Sequence, residues 1–113
     1  MKATSYEISK ILKKIGFKVQ TDFWWIENSL SEPTHKLRYW NQELAGNNIP
    51  AYDLETILQF IYSFRIQLYF EITELGYLEK DNSVKSWIIT NKNESLTDAA
   101  ARLLILLHEK GLV

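Results

Sequence analysis

The chain has 113 residues, 46% of them hydrophobic and 24% charged, with a formal net charge of -1 and no cysteine. Such a length makes one domain, residues 1–113, with enough chain for a real core. The charge balance excludes a strong global field for nucleic acid or anionic membrane, and the missing cysteines exclude disulfides, thiolate metal sites and thiol nucleophiles. No apolar h-region opens the sequence, and the longest apolar run, Leu103 to Leu107, is too short to span a bilayer. The expectation is a soluble cytoplasmic domain with no membrane contact.

Thr4-Ser5-Tyr6-Glu7 has the form of a capping box, and Ile8, Ile11, Leu12 and Ile15 follow at helical spacing up to Gly16. The lysines of this first helix read as its solvated face. Lys18 to Ile26 turns aromatic and β-branched, which suits a strand, and Asn28 to Thr34 is turn chemistry. Lys36 to Trp40 alternates again, which predicts an antiparallel hairpin with the first strand. Asp53 can cap a helix carrying Leu54, Ile57, Leu58 and Ile61 on one face.

Ile66 to Thr73 is the clearest strand, aliphatic or aromatic at every even position. Gly76 and Asp81-Asn82-Ser83 read as turns, with residues 77–80 open between strand and loop. Val84 to Thr90 reads as the last strand. Ser95, with Asp98 in the reciprocal position, opens a final helix whose wide apolar arc predicts the most buried helix, ended by Gly111. The expected architecture is α+β: a four-stranded, mainly antiparallel sheet packed with three helices in the order α-β-β-α-β-β-α. A helix–sheet–helix sandwich is one form of it.

Three stretches carry a resemblance. They are the helix ending in a Gly-Phe step at Ile11 to Phe17, the helix start Ile49-Pro50-Ala51-Tyr52-Asp53-Leu54, and the C-terminal pattern T-x-A-x-A-x-x-L-I-x-L-x-x-x-G-L from Thr97 to Val113. Together they resemble small uncharacterised proteins of bacteriophages, prophages and related mobile elements. The resemblance implies an α+β fold of helices on a small antiparallel sheet. It implies no activity and no site residues.

No catalytic, cofactor or metal set can be assembled. His35 falls in a polar loop and His108 in the last turn of a helix, neither with a second ligand at metal spacing on its own element. Ser63, Ser86 and Ser95 lack the context of a nucleophile, and no phosphate-cradling glycine loop exists. Glu71 and Glu74 are read as a loop exit rather than an acid pair.

The informative feature is a second sheet face. With Ile66, Leu68, Phe70 and Ile72, then Val84, Ser86 and Ile88, then Leu37 and Tyr39, then Phe23 and Trp25 facing the core, the opposite face takes the rest. The interaction face so expected consists of Trp24, Arg38, Trp40, Tyr69, Glu71, Lys85 and Trp87. Three readings compete for it. A helix, most simply the Asp53–Phe64 one, covers it; or it binds a protein partner, with a homodimer as the simplest form; or it stacks nucleic-acid bases. The near-zero net charge counts against nucleic acid. The resulting expectation is a non-enzymatic interaction protein working through protein contacts, with no cofactor. A nucleic-acid-binding module on the same aromatic and basic face is the alternative.

Overall fold

The computed structural model describes residues 3–27, 35–39, 48–70, 74–78, 84–89 and 94–113. Its elements, in order, are α1 (Tyr6–Lys14), β1 (Phe23–Glu27), β2 (His35–Tyr39), β3 (Ile49–Ala51), α2 (Leu54–Ser63), β4 (Gln67–Phe70), β5 (Glu74–Leu78), β6 (Val84–Ile89) and α3 (Leu96–Glu109). The α+β class, the three helices, their order and the antiparallel pairing agree with the sequence reading. The strands, however, form two three-stranded antiparallel sheets, β2-β1-β3 and β4-β5-β6, rather than one four-stranded sheet.

Two strands escaped the sequence pattern for local reasons. β3 contains Pro50, which has no N–H to give to a ladder and is tolerated here because β3 is an edge strand. β5 contains Gly76, which lies in mid-strand and not at a turn. His35 is likewise the first residue of β2 instead of a loop residue. Of the open stretch 77–80, Tyr77 and Leu78 belong to β5, and 79–80 lie outside the described residues.

α1 and α3 end in the same way. In α1 the Phe17 N–H donates to Leu12 O (3.0 Å) and Gly16 N–H to Lys13 O (3.1 Å). In α3 the Leu112 N–H donates to Leu107 O (2.9 Å) and Gly111 N–H to His108 O (3.0 Å). These are Schellman caps, and each needs a left-handed residue, supplied by Gly16 (φ 88) and Gly111 (φ 72). α2 ends instead with Arg65 at φ 60, a position that glycine fills at lower cost.

The N-termini depart from the expected boxes. Ser5, not Thr4, caps α1, its hydroxyl accepting from Ile8 N–H, while Glu7 pairs with Lys10 at 3.1 Å. Ser95 caps α3 by accepting from Asp98 N–H (3.1 Å). The Asp98 carboxylate does not return to Ser95. It accepts instead from the backbone N–H of Ser5, 2.8 Å away, so the first turn of α3 satisfies the N-cap of α1. A bidentate Glu94–Arg102 pair (2.7 and 2.6 Å) holds the entry to α3.

Thr4 is buried beside this junction. Its N–H donates to Tyr52 O (2.9 Å) and its hydroxyl accepts from Tyr52 N–H (3.1 Å). The same hydroxyl lies 2.7 Å from Ser9 Oγ, and the Ser9 hydroxyl donates to Thr4 O (3.3 Å).

α3 is the centre of the core. It packs against α1, α2 and strands β5 and β6. Ala99, Ala100 and Ala101 let neighbours approach closely, while Leu103, Leu104 and Leu107 fill the space with Leu12, Ile57, Ile61, Leu75 and Tyr77. α2 therefore lies on α3, and α1 bridges α3 to β3. Tyr52 is buried among these groups, and burial pushes its hydroxyl above the usual 10.0, a hydrogen bond with the Val19 backbone pulling partly back.

Candidate interaction surface

The two adjacent tryptophans go to opposite faces of the first sheet, as strand alternation requires. Trp25 is in register with Leu37 and Ile49, and Phe23 with Tyr39 and Ala51. This face looks onto α1. The Trp25 indole N–H donates to Thr4 O at 3.0 Å, and its ring meets Tyr6 edge-on at 6.0 Å. Its assignment to the inner face therefore holds.

Trp24 lies on the other face, in register with Arg38 and Pro50. Yet it is only 7% exposed. A residue so covered cannot contribute a contact surface, which corrects its place in the expected interaction face. Among the described residues its indole N–H finds no hydrogen-bond partner, a state that costs about 1–3 kcal/mol for a buried donor.

The second sheet keeps the expected alternation through most of its width. Leu68 pairs with Tyr77 and Tyr77 with Ser86; Phe70 pairs with Leu75 and Leu75 with Ile88. Leu75 and Tyr77 are buried in the core against α3, so this is the inner face. The outer face carries the register row Tyr69–Gly76–Trp87, with Gln67 and Leu78 on one side of the row and Glu74 and Ile89 on the other. Gly76 is buried although it stands in this row, with Tyr69 and Trp87 as its register partners.

The register of β6 shifts between Tyr77 and Leu78. Leu78 is in register with Val84 while Tyr77 is in register with Ser86, so Lys85 stands between them without a register partner. Val84 is thereby in register with Leu78, where simple alternation along β6 had set it in step with Ser86 and Ile88. The sequence pattern missed Glu74, Leu78 and Val84 at this surface. Gly76, read as a turn, hid β5 and hence the strand that orders the face.

The expected interaction face is thus divided. Trp24 and Arg38 belong to the first sheet, and Tyr69, Lys85 and Trp87 to the second. Trp40 and Glu71 lie outside the described residues. Pairing stays within short chain neighbourhoods on either side of α2, which is why four strands did not merge. Among the described residues, no three His, Asp or Glu side chains gather as a metal site, and no helix is long and apolar enough to cross a membrane. Compared with protein-family models, curated proteins and solved structures, the chain matches none.

Proposed function

We propose that this chain is a non-enzymatic interaction protein that binds through the outer face of the β4-β5-β6 sheet, its simplest partner being a second copy. The reading rests on the register row Tyr69–Gly76–Trp87, which alternates along the ladder with the rows of Leu75 and Tyr77 that pack on α3. Aromatic residues supply much of the binding energy of protein interfaces, and the neighbouring register positions are occupied by the apolar residues Leu78, Val84 and Ile89. Glu74 in β5 and Lys85 in β6 bring charges of both signs to the same sheet, a composition that a two-fold axis can make self-complementary. A net charge of -1 leaves little like-charge repulsion between copies. In keeping with the sequence resemblance, we place its origin in a phage or mobile element.

Light scattering over a rising concentration series tests this. The expected result is a mass that climbs from monomer to dimer, and a Trp87→Lys variant that stays monomeric. A wild-type chain that remains a monomer throughout, or a variant that associates equally well, overturns the self-association reading.

A further inference from the structure

On a different part of the molecule, α1 and α3 pack side by side. Their N-termini meet at the Ser5–Asp98 hydrogen bond, and their C-terminal ends both border one cleft of about 180 Å³. Ile15, Phe17, Phe60, Leu104 and Val113 give it apolar walls, with Lys18 and His108 at the margin. Phe17 meets Tyr52 edge-on at 4.7 Å on its inner side and Phe60 edge-on at 4.7 Å. Phe60 in turn meets the half-exposed Phe64 at 5.2 Å, so a series of crossed rings runs from the core to the surface along the cleft.

The backbone at this site is engaged inside the protein. The N–H groups of Ile15, Gly16 and Phe17 donate to Ile11 O, Lys13 O and Leu12 O, and Phe17 O accepts from the Tyr52 hydroxyl. On the α3 side the Gly111 and Leu112 N–H groups close onto His108 O and Leu107 O. Lys18 already has an interaction within the chain. The charges around the mouth are of both signs, Lys18, His108 and Lys110 standing with Glu109 and the Val113 carboxylate.

We propose that this cleft binds an uncharged aromatic compound of one ring with a short substituent, held by apolar and edge-to-face contacts. Chemistry argues for the missing charge. With the backbone engaged, a ligand gains here by covering apolar surface, and an ion of either sign gives up hydration against a mouth of mixed charge. Size argues for one ring, since an apolar cavity of about 150 Å³ holds benzene and the cleft leaves room for a little more. Ring geometry argues for an aromatic one. A ring set against Phe60 extends the Tyr52–Phe17–Phe60 series, and each crossed pair adds to the gain from area alone.

Benzyl alcohol, cyclohexylmethanol, benzoate and benzylammonium each carry a six-membered ring with a short substituent, and together they separate these terms. Amide chemical shifts of Gly16, Phe17, Leu104 and His108 report binding. Saturable shifts with benzyl alcohol are expected, with affinity about threefold above cyclohexylmethanol, the size of one edge-to-face contact. Both ions should bind about fivefold more weakly than benzyl alcohol, whatever their sign. Phe60→Leu, which keeps an apolar wall without a ring, should erase the preference for benzyl alcohol over cyclohexylmethanol. The proposal fails if benzyl alcohol produces no saturable shift at these amides, or if either ion binds as tightly. It fails equally if cyclohexylmethanol matches benzyl alcohol, or if Phe60→Leu keeps the preference. Should Phe60→Leu not fold, the four compounds on the unaltered chain decide the matter alone.

Discussion

The two ends of the α1–α3 pair are built on opposite principles. At the N-terminal end, Thr4, Ser5, Ser9, Asp98 and the Trp25 indole satisfy one another, and backbone groups of three chain segments meet there. At the C-terminal end the Schellman caps close both helices locally, and what remains is a cleft with apolar walls. A closed polar junction fixes relative position but leaves nothing for a ligand to take. An end whose backbone is already capped can leave side-chain space open. Stability should therefore concentrate at the first end and binding at the second.

The largest expected loss is at Thr4. Thr4→Val keeps the shape but removes the hydroxyl that accepts from Tyr52 N–H and meets Ser9 Oγ, all in a buried site. Leaving such groups unpaired costs about 2–4 kcal/mol. Chemical denaturation of the variant reads this directly, and a loss below about 0.5 kcal/mol would mean that the polar junction is not a stability centre.

Asp98 comes next. It joins the first turn of α3 to the N-cap of α1, near two helix N-termini at once. Asp98→Ala should cost about 1–2 kcal/mol, and Asp98→Asn, which keeps an acceptor, less than half of that. Equal losses in the two variants would show that charge at the helix ends, and not the hydrogen bond to Ser5, carries the effect.

The sequence made the helices plain and their junction opaque. Asp53 and Ser95 are recognisable caps, Gly16 and Gly111 recognisable stops, and the cap of α1 lies one residue from its expected place, at Ser5, because capping is decided within a few residues. The Ser5–Asp98 bond spans 93 positions, and no local pattern encodes it. The Ser95–Asp98 spacing even suggested a different partner for the carboxylate. Face alternation was legible in β1 and β4, and it put Trp25 and Leu68 on the inner side. It failed at Gly76, whose turn-like character concealed a central strand, and it could not foresee the register shift that sets Val84 in step with Leu78. Trp24 was assigned to the correct face of its strand, and its burial favours cover over a contact surface among the readings offered for that face. Alternation fixes which side a residue takes and says nothing about what covers that side.

Tyr52 links the two ends and gives the smallest, most selective prediction. Its backbone pairs with Thr4 at the polar junction, and its hydroxyl donates to Phe17 O (3.4 Å) beside the cleft. At neutral pH Tyr52→Phe should cost no more than about 1 kcal/mol, since that hydrogen bond is long. At alkaline pH the difference narrows. Burial raises the folded-state pKa of the phenol, so on raising the pH the unfolded chain loses this proton first, from about 10 upward. The unfolded state then binds fewer protons than the folded one, and the contribution, complete below pH 10, falls away as the pH rises through the folded value. Tyr52→Phe lacks this loss, whereas all other titrating groups are common to both proteins. The stability difference between wild type and variant should therefore shrink as the pH rises above 10. A difference that stays constant between pH 8 and 11 would mean that solvent reaches the Tyr52 hydroxyl freely in the folded protein, and that the aromatic packing of Tyr52 on Phe17 does not seal the wall between core and cleft.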